Sequence, residues 1–341
     1  MTRTREWHLV RRPQGSPTDD DFSLVEVDLP QPRADDVVVR NTWLSVDPYM
    51  RGRMDDRESY LPPFALDAPM DGGAVGIVEQ VGSDVHDLQV GDTVLHGHGW
   101  RELAVLAAGR AQKIDPDAAP PQSYLGVMGM PGLTAYVGLL EIARMQPGET
   151  VFVSAAAGAV GSLVGQIARL KGAGGVIGSA GGPAKTTWLV EKLGFDAAID
   201  YKAVREQGTS LRGALHEKAP DGIDVYFDNV GGEHLEAAIG CLRRHGRVAV
   251  CGMISQYNAT SPAPGPRNLG LLVQNRLTLR GFLVGDHSHA RAEFATDMGT
   301  WLREDRIVWR ETVIDGLDNA VTAFRTLLAG GNTGKMLVHL E

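Results

Sequence analysis

The chain has 341 residues, of which 43% are hydrophobic and 22% are charged, and its formal net charge at pH 7 is −9. These values are typical of a globular protein, and the acidic excess argues against binding to nucleic acid or anionic membranes. The two cysteines, Cys241 and Cys251, exclude a disulfide framework, and the N-terminal segment has no apolar run typical of a secretory signal. We therefore expect a cytoplasmic protein without a membrane span.

The first 120 residues predict short strands separated by turns. Runs rich in β-branched residues occur at 35–46, 73–82 and 90–106, each bounded by Gly, Asp or Pro. The Pro-rich stretch 115–122 then predicts a domain boundary.

From about residue 123, predicted strands alternate with predicted helices. The strands lie at 149–155, 175–180, 196–201, 222–232, 246–253 and 277–284, and the helices between them lie at 159–171, 184–193, 209–218 and 233–244. Repeated βα units predict a parallel sheet with helices on both faces, so the fold class is α/β. We expect a doubly wound (Rossmann) domain over 123–290 and a β-rich domain formed by 1–122 and 291–341.

Small residues fill the turn between the first of these strands and its helix. The stretch AAAGAVG, 155–161, departs from G-x-G-x-x-G by placing Ala156 at the first glycine, while Gly158 and Gly161 keep the spacing. In a doubly wound domain this turn binds the pyrophosphate of a dinucleotide. Tight packing of strand on helix is the alternative, but the position at the start of the βα series favours dinucleotide binding.

The next strand favours NADP(H) over NAD(H). NAD sites carry an acid about 20 residues after the glycine motif, whereas 176–184 contains none. Pro183 suits the first position of a helix, which places Lys185 in the first turn, where a cation opposes the helix dipole unless an anion is present. A 2′-phosphate is such an anion. The alternative is that Lys185 is a solvated surface lysine.

Long motifs occur in a fixed order along nearly the whole chain. They are LSVDPYMRGRM (44–54), GVMGMPGLTAYVGLL (126–140), AAAGAVGSLVGQIARLKG (155–172), KLGFDAAIDYK (192–202), YFDNVGG (226–232), VCGMISQYNAT (250–260) and GGNTGK (330–335). The chain thereby resembles the zinc-independent medium-chain dehydrogenase/reductase superfamily. The similar branch is that of the prostaglandin and leukotriene reductases and alkenal double-bond reductases, which includes bacterial NADPH-dependent curcumin reductases.

The resemblance implies a GroES-like β-rich catalytic domain, NADP(H) as the cofactor and a homodimer. It places the pyrophosphate at Ala157, Gly158, Ala159 and Val160, and the 2′-phosphate at Lys185 and Tyr201. It implies that the remaining cofactor contacts, mostly around the nicotinamide half, are made by Thr134, Asn229, Cys251, Gly252, Ile254, Ser255, Tyr257, Phe282, Leu283, Val284 and Asn332.

The resemblance also implies that Tyr49, Tyr60 and Tyr257 face the substrate. Tyr49 and Tyr60 are explained equally as half-buried aromatic residues, and Asn229 as a turn former before Gly231. Tyr257 lies in a Pro/Gly-rich loop too long for a tight turn, and such loops after strands tend to carry function. We expect Tyr257 to donate a hydrogen bond to a substrate carbonyl, with Tyr49 as the alternative donor.

The residue types argue against a catalytic zinc ion. Such a site in a dehydrogenase uses Cys ligands from the first domain, and no cysteine precedes residue 241. The pairs His96/His98 and His287/His289 are spaced to share a face, but the sequence shows no third ligand, so we expect no metal.

Without a Lewis acid, the substrate must accept hydride with only hydrogen-bond assistance. An α,β-unsaturated carbonyl does so, because hydride addition at the β-carbon moves charge to an oxygen that one or two donors stabilise, here a tyrosine hydroxyl and the cofactor's ribose 2′-OH. The expected function is NADPH-dependent reduction of the C=C bond of α,β-unsaturated ketones and aldehydes. A quinone reductase of the same superfamily and a non-catalytic NADPH-binding protein are the alternatives.

Overall fold

The computed structural model describes residues 2–340, which form short strands and helices throughout. The strands are β1 (Arg3–Leu9), β2 (Phe22–Asp28), β3 (Asp36–Ser45), β4 (Ala68–Pro69), β5 (Ala74–Val81), β6 (Thr93–His96), β7 (Leu103–Ala107), β8 (Gln112–Lys113), β9 (Thr150–Val153), β10 (Gly175–Ala180), β11 (Ala197–Asp200), β12 (Ile223–Asp228), β13 (Leu242–Val250), β14 (Thr278–Gly281), β15 (Glu311–Asp315) and β16 (Lys335–His339). The helices are α1 (Tyr49–Arg53), α2 (Met130–Val137), α3 (Gly161–Leu170), α4 (Pro183–Glu191), α5 (Tyr201–Glu206), α6 (Leu211–Lys218), α7 (Gly232–Cys241), α8 (Gly270–Asn275), α9 (Arg291–Arg303) and α10 (Ala320–Leu328). None of these helices has the length and apolar character needed to cross a membrane.

The first of two compact units comprises residues 2–126, 311–332 and 336–340 and is built on antiparallel strands. Its larger sheet has the order β15-β16-β3-β5-β6-β8, with β7 also paired to β3, and its smaller sheet has the order β2-β1-β4. The β-branched run of β3 buries Val37 and Val39 completely, where they pack with Val78 and Val94 of β5 and β6. The predicted β-rich runs at 35–46, 73–82 and 90–106 therefore correspond to β3, β5, β6 and β7 of the larger sheet.

The second unit comprises residues 127–310 and 333–335 and contains a six-stranded parallel sheet. Its order, β11-β10-β9-β12-β13-β14, reads 3-2-1-4-5-6 along the chain, which is the order of the doubly wound dinucleotide-binding fold. Val151 of β9 pairs with Val176 of β10 on one side, and Phe152 pairs with Tyr226 of β12 on the other. The strand order reverses at β9, and folds of this kind bind ligands beyond the carboxyl ends of the strands at that point.

The segment 291–310 packs with the second unit, whereas the boundaries expected from the sequence assigned it to the first. Phe294 and Trp301 of α9 share a core with Tyr136 of α2, with ring centroids 5.8 and 6.3 Å from that of Tyr136. The Tyr136 hydroxyl also lies 2.9 Å from a carboxylate oxygen of Asp297. The periodicity of α9 reveals an apolar face but not the element against which that face packs, so the sequence could not place the helix.

Candidate functional site

The turn between β9 and α3 brings small residues to the N-terminus of a helix. Ala155 adopts a left-handed conformation with φ 47°, which is unfavourable for a non-glycine residue, and its carbonyl oxygen accepts a hydrogen bond from Gly158 N at 2.9 Å. A Cβ at Gly161 would lie 2.4 Å from that same oxygen, so only glycine lets α3 begin this close to the strand. The turn fits a pyrophosphate, since its backbone can be approached closely and the helix dipole favours negative charge.

A short segment near the C-terminus is bonded to this turn. Gly334 N donates to the Ala157 carbonyl oxygen at 2.7 Å, and Gly334 forms an isolated parallel bridge with Gly158. Asn332, which is 8% exposed, ends the 311–332 segment of the first unit and lies two residues before Gly334. The GGNTGK motif therefore reaches the glycine turn through Gly334.

The turn between β10 and α4 is held by an acid from the next strand. Asp200, at the end of β11, accepts hydrogen bonds through Oδ1 from Gly182 N at 2.9 Å, Lys202 N at 3.0 Å and Ala203 N at 3.4 Å. Gly182 precedes α4 with φ 97°, a conformation that favours glycine. Because Oδ1 of this acid faces backbone N–H groups, Asp200 caps α5 and anchors the turn.

Two lysines and a tyrosine surround that turn. Lys185 lies half-buried in the first turn of α4, and burial and the neighbouring Lys202 lower its pKa. A Cβ at Gly181 would lie 2.9 Å from Lys202 Cε and 3.1 Å from the Tyr201 hydroxyl oxygen. Two neighbouring cations beside a helix N-terminus fit a phosphate group. Lys185 and Tyr201 were predicted at this position, whereas Lys202, which directly follows Tyr201, was not; the phosphate assignment stays a prediction.

The carboxyl ends of β9 and β12 are joined by a polar network. The Asn229 side chain donates to the Ser154 carbonyl oxygen at 2.8 Å, and Asn229 N donates to Ser154 Oγ at 3.0 Å. Buried Asp228 accepts hydrogen bonds from the Tyr226 hydroxyl at 2.6 Å and from Gly231 N at 2.7 Å, while burial raises the pKa of Asp228. Sequence reasoning missed Ser154 and Asp228, whose signal is a polar residue at the carboxyl end of a buried strand.

The loop after β13 is seated on the turn after β12. Cys251 N and Gly252 N donate to the Asp228 carbonyl oxygen at 2.8 and 3.0 Å, and Ser255 Oγ donates to the Val230 carbonyl oxygen at 2.6 Å. Ile254 begins a 3₁₀ turn, Ile254–Gln256, that leads to Tyr257. These contacts hold the predicted cofactor loop at the carboxyl edge of the parallel sheet.

The Tyr257 side chain turns back onto its own loop. Its hydroxyl oxygen accepts a hydrogen bond from Met253 N at 3.4 Å, and a Cβ at Gly252 would lie 3.2 Å from that oxygen. The hydroxyl is therefore held at the carboxyl end of β13. Accepting a hydrogen bond also polarises an O–H group and makes it a stronger donor.

Helix α2 and the segment after β14, which both contain predicted cofactor contacts, pack in one hydrophobic core. Thr134, which is 6% exposed, donates its hydroxyl to the Met130 carbonyl oxygen at 2.7 Å. The Phe282 ring meets that of Phe227 edge to face, with centroids 6.4 Å apart. Five apolar residues of the predicted cofactor site pack in or against the core that contains Leu133 of α2: Ala157, Val160, Cys251, Phe282 and Val284. Leu283, by contrast, is 40% exposed.

Tyr49 and Tyr60 belong to the first unit. Tyr49 begins α1, and burial together with Asp47 raises the pKa of its hydroxyl well above the usual range. Tyr60 is 59% exposed, in a turn-rich segment between α1 and β4. A hydroxyl that resists ionisation suits a hydrogen-bond donor, and the role of Tyr49 as the alternative donor stays a prediction.

Comparison with known proteins agrees with this geometry. Residues 5–114 match a family model described as the N-terminal domain of oxidoreductase, and residues 159–302 match one described as zinc-binding dehydrogenase. The NADPH-dependent curcumin reductase of Escherichia coli K12 is 42% identical over 99% of this chain and 97% of its own length. The chain belongs to the medium-chain dehydrogenase/reductase family.

Further similarities place this family member in the prostaglandin and alkenal reductase branch. The 2-alkenal reductase (NADP(+)-dependent) of Nicotiana tabacum is 42% identical over 95% of this chain and 94% of its own length. The crystal structure of CurA in complex with NADPH from Vibrio vulnificus superposes with a TM-score of 0.93 at 42% identity, covering 99% of each chain. The resemblance drawn from the sequence motifs is thereby confirmed.

The residues of this family member do not fit a catalytic zinc ion of the Cys-ligated kind. No cysteine precedes Cys241, and burial raises the pKa of the Cys251 thiol to about 12, which opposes formation of a thiolate ligand. Burial lowers the pKa of His96 to about 3, and His96 Nδ1 accepts a hydrogen bond from His98 N at 3.1 Å. Within residues 2–340, the one group of three or more ligand side chains close enough to share a metal contains no cysteine.

Proposed function

We propose that this chain is an NADPH-dependent reductase of the carbon–carbon double bond in α,β-unsaturated ketones and aldehydes. The observation that carries the proposal is a glycine turn after β9 and a lysine-flanked turn after β10, in a chain 42% identical to a curcumin reductase and to a 2-alkenal reductase. The first feature fits a pyrophosphate and the second fits a 2′-phosphate.

The chain would hold NADPH in three places. The backbone of 157–160 receives the pyrophosphate, and Lys185, Tyr201 and Lys202 receive the 2′-phosphate. The residues assigned to the remaining contacts are Thr134, Asn229, Cys251, Gly252, Ile254, Ser255, Tyr257, Phe282, Leu283, Val284 and Asn332. When bound, NADPH supplies a hydride to the β-carbon of the double bond, and a proton from a tyrosine hydroxyl or from water is added at the α-carbon.

Tyr257 would act on the substrate carbonyl. Reduction at the β-carbon moves negative charge to the carbonyl oxygen, and a preorganised donor stabilises that charge more than the ground-state carbonyl. Met253 N holds the hydroxyl and strengthens it as a donor. Tyr49 and Tyr60 would contribute ring surface to the substrate pocket. Hydrogen bonding takes the place of a Lewis acid because the Cys ligands of a catalytic zinc ion are missing from the first 240 residues.

The experiment is a comparison of electron acceptors at saturating NADPH. A 2-alkenal, an α,β-unsaturated ketone and a quinone are each followed by NADPH oxidation, with product analysis for the saturated carbonyl. We expect turnover of the first two acceptors and a saturated product with an intact carbonyl. Turnover of the quinone alone would favour a quinone reductase, and tight NADPH binding with no turnover would leave a binding protein; either result would refute the proposal.

We also propose that the protein is a cytoplasmic homodimer. Its two cysteines are unpaired, which fits a reducing compartment. The sheet of the second unit ends at β14, and the nearby helix α8 exposes 83% of Val273. Light scattering coupled to size-exclusion chromatography should give twice the mass of one chain, and a monomeric mass would refute the dimer.

A further inference from the structure

One carboxylate and two histidines of the second unit lie close together, and all three are distant in sequence from the residues of the glycine turn except Glu141, which precedes that turn by 14 positions. Glu141 lies in a π-helical turn, Gly138–Ile142, that continues α2, and His287 and His289 lie in a 3₁₀ helix, Val284–Ala290. Glu141 Oε2 lies 2.7 Å from His287 Nδ1, and Glu141 Oε1 lies 3.1 Å from His289 Nε2. One side chain thus gathers two histidines that are 146 and 148 positions further along the chain.

The backbone conformation explains why both rings reach the same carboxylate. His287 departs from helical geometry with φ −111° and ψ 39°, inside an otherwise 3₁₀ segment. The rings of His287 and His289 then lie with centroids 5.6 Å apart, although the residues are only two positions apart. The π-helical turn that carries Glu141 is also an irregular element of a kind common at functional sites.

The distances match those required around a small metal ion. One ligand atom from each of Glu141, His287 and His289 lies within 4.8 Å of the others. Zinc binds histidine nitrogen and carboxylate oxygen at about 2.0–2.2 Å with tetrahedral angles, so its ligand atoms lie about 3.4 Å apart. Small side-chain rotations would therefore open the cluster enough to admit the ion.

The cluster is open to solvent on one side, and one of its histidines packs against an aromatic ring. His289 exposes 66% of its side chain and Glu141 exposes 33%, so an ion can arrive from solvent and keep water in a fourth position. His287 exposes only 14% of its side chain, and its ring meets that of Phe282 edge to face at 6.4 Å. The side chain of His287 is therefore restrained by packing, which lowers the entropy cost of ordering it when an ion binds.

We propose that Glu141, His287 and His289 form a binding site for one divalent transition-metal ion of the zinc type. Imidazole and carboxylate are ligands that such ions favour. The site joins the π-helical turn to the segment before α9, and it takes no part in hydride transfer. The proposal departs from the sequence expectation of no metal, which rested on the lack of a visible third ligand for His287 and His289; the fold supplies Glu141.

The test uses the full chain without a histidine tag, freed of metal by a chelator and checked for an unchanged circular dichroism spectrum. Zn²⁺ is titrated at about pH 7.5, where histidine is mostly neutral, in competition with a chromophoric chelator. We expect one saturable site per chain, and Co²⁺ in its place should give the visible absorption of a low-coordinate ion. His289→Ala and Glu141→Gln should each weaken Zn²⁺ binding by at least about tenfold.

The controls separate this site from general binding by surface histidines. His216→Ala removes a histidine of α6 outside the cluster and should leave the affinity unchanged. His289 is mostly exposed, so its replacement keeps the test valid even if His287→Ala disturbs the packing on Phe282. The proposal is overturned if no saturable site is found, or if His289→Ala and Glu141→Gln bind Zn²⁺ as tightly as the native chain.

Discussion

Replacement of Lys185 by Ala tests the assignment of the 2′-phosphate. Lys185 lies in the first turn of α4, and Lys202 is close enough to lower its pKa. A bound phosphate would relieve the repulsion between the two cations, whereas a cofactor without that phosphate would not. The effect of the substitution should therefore differ between NADPH and NADH.

The magnitude follows from the strength of hydrogen bonds to charged groups. Such a bond contributes about 1.5–3 kcal/mol. A Coulomb energy of about 4 kcal/mol for unit charges at about 4 Å is an upper bound, because Lys185 is partly exposed and solvent screens it. We expect Lys185→Ala to weaken NADPH binding by about 10- to 150-fold, which corresponds to that range. The affinity for NADH should change by less than about threefold, since NADH lacks the phosphate.

The assay is fluorescence titration of both cofactors, together with kcat/KM for each. The native protein should prefer NADPH by at least about tenfold, or about 1.4 kcal/mol. Lys192→Ala removes a cation from the other end of α4 and serves as the matched control. Equal use of NADPH and NADH by the native protein, or an equal loss of both in Lys185→Ala, would refute the reasoning.

Three further predictions concern catalysis, metal and pH. Tyr257→Phe keeps the ring and removes the hydrogen-bond donor. Stopped-flow and steady-state assays should therefore show a kcat about 10- to 100-fold lower, with the NADPH Kd nearly unchanged. If Tyr257→Phe keeps full kcat and Tyr49→Phe does not, the donor is Tyr49. Exhaustive chelation should leave kcat/KM for an enone unchanged, and a loss of turnover that zinc restores would contradict hydrogen-bond catalysis. Burial lowers the pKa of His96 to about 3 and that of His234 to about 4, whereas unfolded histidine titrates near 6.5. Between about pH 6 and 4 the unfolded chain therefore binds more protons than the folded chain, so the folded state loses stability as the pH falls. In urea unfolding, the free energy of unfolding should fall by about 1.4 kcal/mol per pH unit for each of these two histidines. His234→Gln should reduce this slope.

The fold class could be predicted from the sequence because local composition decides most of its strands. The apolar runs that became β10 and β12 are short, rich in buried residues and followed by helices, and the predicted parallel sheet is confirmed. The helix that begins at Tyr201 was missed because its start depends on the Asp200 cap rather than on hydrophobic periodicity. The packing of α9 also depends on a distant partner, Tyr136 of α2.

The residues of the candidate site likewise differ in whether local sequence or tertiary structure determines their contacts. Gly161 could be identified from spacing alone, because the close approach of helix to strand lies within one βα unit. Lys202 approaches Gly181 only after two consecutive strands align in the sheet, and Glu141 meets His287 across 146 positions. Contacts of this second kind depend on tertiary structure, and no local pattern of residue types records them.

The attachment of Gly334 to the glycine turn has a consequence for how the protein is made. The strand and helix that form the turn are complete by residue 170, but the hydrogen bond from Gly334 N to the Ala157 carbonyl oxygen needs residues synthesised more than 160 positions later. The six strands of the parallel sheet, which end at residue 281, are thus synthesised before the turn gains its hydrogen bond from Gly334. If this hydrogen bond helps to hold the turn in its binding conformation, we expect full affinity for the dinucleotide only near the end of translation.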